Sequence, residues 1–187
     1  KTPENGKIVF DKEQAFFGDI VTMTITPNEG YEVLKWAVDK DVNLKGGTKV
    51  LKGDPITLDE IKKIEVTEDI VITIYHYKIK YTITYESSEN GTISGIESEE
   101  VSHGNSPLGT ESKPNKGYVL SHYIIDKDVT LTTGEVIKAG SPVTEDDLSK
   151  IIVKENIKVT AVYEIATYKV TYKTEENGTI TGIKEET

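Results

Sequence analysis

The 187-residue sequence predicts a mainly β (α+β) chain of tandem repeats of about 87 residues, each of mostly antiparallel and mixed strands with one short helix. Three observations predict it. The sequence matches itself: Glu4-Asn5-Gly6 recurs as Glu89-Asn90-Gly91 and as Glu176-Asn177-Gly178, at offsets of 85 and 87. From Pro27 onward the offset holds at 87, and 20 of 52 positions are identical between 27–78 and 114–165 without a gap. Self-similarity at such a period marks a repeat architecture. The apolar residues are chiefly Ile, Val and Tyr, accompanied by much Thr, types that suit a pleated, half-buried surface. Asn-Gly and Pro-Asn-x-Gly turn signals punctuate the strand-like runs at matching places.

The elements follow in order, taken from the second copy. Tyr81-Thr-Ile-Thr-Tyr85 alternates large apolar residues with Thr, the period of a strand with one buried face. Asn90-Gly91 predicts a two-residue type I′ hairpin with positive φ at both positions, and 92–96 returns as the second strand. A short strand is expected over 106–111, before the turn at Pro114-Asn115-Lys116-Gly117. The densest apolar run, 118–125, reads as the central strand. Val129–Leu131 and Val136–Ile137 read as a small hairpin over Thr133-Gly134. At Pro142-Val143-Thr144 the period changes. Thr144 is an N-cap with Asp147 three residues on, Thr57 and Glu60 repeat the device as a capping box, and a helix of roughly two turns follows. The acidic first turn suits the helix dipole. Residues 157–163 close the unit. A hairpin, a central strand, a helix and a last strand beside the first make a β-grasp-like roll.

The repeats divide the chain into 1–79 (lacking the opening Tyr-x-Ile-x-Tyr strand), 80–166, and the opening hairpin of a third copy in 167–187. This phase reads as a cut from a longer array. Residues 70–85 and 157–172 contain no Gly or Pro, so one continuous strand is expected to cross each junction and stiffen it.

Composition excludes several functions. The net charge is −10, from 22 Lys+Arg against 32 Asp+Glu, and every one of those cations is Lys. Nucleic acid and anionic membrane surfaces are poor partners for such a chain. No Cys means no disulfide, thiol nucleophile or thiolate metal site,. No apolar run is long enough to span a bilayer.

The order of an opening Tyr-x-Ile-x-Tyr strand, Asn-Gly, and Pro-Asn-x-Gly-Tyr with an aromatic five residues on is recognisable. Gly30-Tyr31 with Trp36, and Gly117-Tyr118 with Tyr123, carry it, and Val159-Thr-Ala-Val-Tyr163-Glu closes the unit. The chain resembles the internalin-type B-repeat superfamily (Listeria–Bacteroides repeats and their divergent relatives) of bacterial surface proteins. It departs from typical members in a longer segment over 127–150. The resemblance implies an extracellular array on a bacterial surface, usually Gram-positive and anchored to the wall outside this chain. Its role there is a stalk presenting another domain, or else an adhesive module for a host protein or glycan. It implies no enzymatic activity, and the expected partners are the neighbouring repeats.

Candidate chemistry is sparse: no catalytic residue, cofactor site or metal site is assigned. Trp36 and Tyr123 are the candidate ligand contacts, as aromatics that stack on a sugar; the competing reading is two core aromatics. Asp39/Asp41 and Asp126/Asp128 space oxygens as calcium ligands are spaced, but without the Gly and distal Glu of a calcium loop; the competing reading is carboxylates that cap backbone amides. Glu145-Asp146-Asp147 has no accompanying nucleophile and reads as helix capping. His76, His103 and His122 do not match between copies and read as surface or boundary residues. Asn90 and Asn177 lie in glycosylation sequons better explained by the turn. An internal isopeptide crosslink would need Lys78 or Lys80 with Asp69 or Asn156 in an apolar core.

Overall fold

The computed structural model describes residues 5–12, 14–179, 181–182 and 185–186. It is mainly β, with open sheets and two short helices among the described residues. The chain forms two compact units, residues 1–80 with 102–104, and residues 81–101 with 105–187.

In the first unit, β1 (Gly6–Phe10) and β2 (Met23–Pro27) form an antiparallel pair from Gly6↔Pro27 to Phe10↔Met23. β3 (Tyr31–Val38) is the densest apolar strand. β4 (Val42–Asn43) and β5 (Lys49–Val50) make a small hairpin. β6 (Pro55–Ile56) leads through Thr57 into α1 (Leu58–Ile61). β7 (Ile72–Lys78) returns antiparallel to β3, giving the order β6-β3-β7. Trp36, Val38, Val42, Leu44, Ile56 and Ile61 meet in one buried cluster, because alternation along β3 and the single inward residue of α1 aim at the same side,.

The second unit opens with β8 (Lys80–Ser87), β9 (Gly91–Ile93) and β10 (Ser98–Ser102). β11 (Ser112–Pro114) pairs antiparallel with β9. β12 (Tyr118–Ile125), β13 (Val129–Leu131), β14 (Val136–Ile137) and β15 (Pro142–Val143) precede α2 (Glu145–Leu148). β16 (Ile151–Ile152) pairs with β13, and β17 (Ile157–Ile165) completes a five-stranded sheet of order β10-β8-β17-β12-β15. β17 is antiparallel to β12 and parallel to β8, with Ile157 opposite Ile83 and Ala161 opposite Ser87. Its core joins Ile83, Tyr123, Ile125, Leu148 and Val159. β18 (Val170–Thr171) and β19 (Glu185–Glu186) form an antiparallel pair.

Local features recur 87 residues apart. A bulge skips Leu34 between β3 and β7, and one skips Ser121 between β12 and β17,. The bridge Leu44↔Ile64 corresponds to Leu131↔Ile151.

Four expectations are corrected. The Asn90-Gly91 pair closes no hairpin between β8 and β9. Asn90 alone has positive φ, 77°, and the Asn90 carbonyl accepts the Asn115 amide, so β9 is directed to β11 while β8 pairs with β10. The strand expected at 106–111 lies at Ser112–Pro114 instead, because the preceding backbone is bonded to a side chain described below. Each helix has four residues rather than two full turns. Neither junction is one continuous strand. β7 stops at Lys78 because the Ile79 amide donates to the Gly30 carbonyl while its own carbonyl accepts the His103 amide. β17 stops at Ile165, and the Ala166 amide donates to the Gly117 carbonyl, the same bond 87 residues later.

Candidate functional site

Trp36 and Tyr123 occupy matching places on β3 and β12, opposite Ile56 and Ile74 in one unit and Val143 and Ala161 in the other. Their exposures are 7% and 1%. Both rings therefore belong to the hydrophobic clusters, and burial pushes the Tyr123 phenol pKa up.

The Asp-Lys-Asp motif closes the ends of strands. Asp39 Oδ1 accepts the Val71 amide at 2.7 Å, and Asp126 Oδ1 accepts the Lys158 amide at 2.7 Å. The second carboxylate of each motif spans the β4–β5 or β13–β14 hairpin. Asp41 Oδ1 accepts from the Lys52 amide and its Oδ2 meets Lys49 at 2.8 Å, while Asp128 accepts from the Ala139 amide and from Lys138 at 2.7 Å. Bonds to Lys49 and Lys138, and then to these amides, hold both carboxyls below the ordinary Asp range. These bonds are the amide caps of the competing reading,.

The acidic run at α2 caps the helix. Thr144 and Asp147 form a reciprocal box, as Thr57 and Glu60 do in the first unit. Hydrogen bonds from Thr144 lower the Asp147 pKa, and those from Thr57 lower that of Glu60. Asp146 is paired with Lys150. Among the described residues no group of three His, Cys, Asp or Glu side chains could hold a metal ion.

Three histidines sit at half-buried positions. His76 occupies on β7 the place that Tyr163 occupies on β17, and the two explain the glycine of Asn-Gly. A Cβ on Gly91 would lie 2.2 Å from Tyr163 Cζ, and one on Gly6 would lie 3.2 Å from His76 Nε2. The Tyr163 hydroxyl donates to the Thr92 carbonyl at 3.2 Å. An aromatic ring seated on the backbone requires glycine here; a positive φ does not. Lys78, Lys80, Asp69 and Asn156 are all exposed, so the apolar core that an isopeptide bond needs does not surround them.

One functional-looking carboxylate gave no signal in sequence. Glu99 on β10 accepts from the Leu108 amide at 3.0 Å, the Gly109 amide at 3.2 Å and the Tyr85 hydroxyl at 2.6 Å. Burial, and then this bond, raise the Tyr85 phenol pKa strongly. This clamp consumes the loop amides that a strand over 106–111 would have needed. Pro107 and the positive φ of Gly109, 85°, mark the loop, but nothing in the sequence names its acceptor.

A family model described as "Divergent InlB B-repeat domain" matches residues 1–52 and 81–167. The chain belongs to this family. The B-repeat family is not typically enzymatic, and membership makes the chain a repeat region of a surface protein. No curated protein and no solved structure matches it. Among the described residues, no helix of this B-repeat chain is long and apolar enough to cross a membrane.

Proposed function

We propose that this B-repeat region is a spacer on the bacterial surface, holding another domain away from a wall-anchored base. Its modules on this reading are 1–79, 80–166 and the opening of a third in 167–187, each a β-grasp-like roll. The parallel return of β17 beside β8 supports that architecture.

The observation that carries the spacer reading is the junction at Ile79. A single residue separates β7 from β8. Its amide and carbonyl are both bonded, to Gly30 and His103. So short a connection supports a spacer built of modules that follow one another directly along the chain. After the second module the Ala166 amide repeats the bond to the Gly117 carbonyl, and four residues separate β17 from β18. In such an array each unit contacts chiefly its neighbours, and stiffness accumulates with copy number.

The test is a multimerised form of the chain, screened against host matrix proteins and a glycan array so that avidity detects weak contacts. A spacer gives no saturable binding. Saturable binding that survives in folded Trp36 and Tyr123 variants would replace the spacer reading with an adhesive one using other side chains.

A further inference from the structure

We draw no further inference here: the strongest candidate, the outward face of β3 and β7 on which Leu34, Tyr75 and Tyr77 are exposed, is an apolar sheet face, and nothing in the structure shows what covers it.

Discussion

Gly91→Ala separates two physical reasons for one motif. If Asn-Gly glycine served a type I′ turn, the cost of alanine would come from backbone strain, and Gly6→Ala would cost as much. The structure assigns the cost to crowding. A Cβ at Gly91 would meet three Tyr163 ring carbons at 2.2–2.6 Å, whereas at Gly6 the nearest atoms are 3.1–3.3 Å away. Displacing a buried ring costs about 1–3 kcal/mol, and losing the Tyr163–Thr92 bond costs about 1 kcal/mol more. Gly91→Ala should therefore destabilise the second unit by about 2–4 kcal/mol, and Gly6→Ala should destabilise the first by about 1 kcal/mol or less. Urea-dependent hydrogen exchange at the β17 amides reads the second unit; emission from Trp36, the single tryptophan, reads the first. In a Tyr163→Leu background the Gly91→Ala cost should fall by at least about 1 kcal/mol, the coupling expected of groups in contact. Equal costs at Gly6 and Gly91, or no coupling to Tyr163, would refute the reasoning.

The remaining predictions concern the polar caps. Thr144→Ala should cost about 1 kcal/mol in urea unfolding, the usual price of an N-cap; a loss below the error of the measurement would remove the cap from the account. The same variant should return the Asp147 pKa toward its ordinary 3.8 in an NMR titration; an unchanged value would show that Thr144 is not the cause of its depression. Because Asp147, Asp128 and Glu60 titrate below their ordinary 3.8, 3.8 and 4.5 when folded, their stabilisation is complete above those values. It is lost as pH falls through the depressed folded pKa values. Asp128→Asn should accordingly flatten the acid side of the stability profile, and a profile identical to the parent's would contradict this. Asp126→Ala should cost about 1 kcal/mol through the lost Lys158 amide bond. Millimolar calcium should leave the melting temperature of the parent chain unchanged, whereas a rise of several degrees would restore the metal reading of Asp-Lys-Asp.

Much of the local structure was legible because it depends on neighbours in sequence. Thr144 and Asp147, or Thr57 and Glu60, lie three residues apart, so their box needs no tertiary information. The central strand 118–125 declares itself by apolar density. Asp39 and Asp126 were read as carboxylates that bind backbone amides, and they do, although their partners lie 32 residues away. What failed depended on distant groups. Asn90-Gly91 is a strong hairpin signal considered alone, but Tyr163 approaches from 72 positions on and the Asn115 amide takes the Asn90 carbonyl. The strand placed at 106–111 failed because Glu99, a surface-type residue in a polar run, captures the Leu108 and Gly109 amides. Ile79 was read as mid-strand because residues 70–85 contain no Gly or Pro. Its backbone instead bonds to Gly30 and His103, and no pattern of apolar residues reports that. The two aromatics weighed as ligand contacts, Trp36 and Tyr123, are buried, which alternation along β3 and β12 already allowed.

The most direct measurement of the spacer reading is small-angle X-ray scattering on the chain and on forms extended by one and by three further copies of residues 80–166. A semi-rigid spacer, in which each repeat contacts chiefly its neighbours, should increase its maximum dimension linearly with each added copy. Growth closer to the square root of copy number, the behaviour of freely jointed units, would contradict the account.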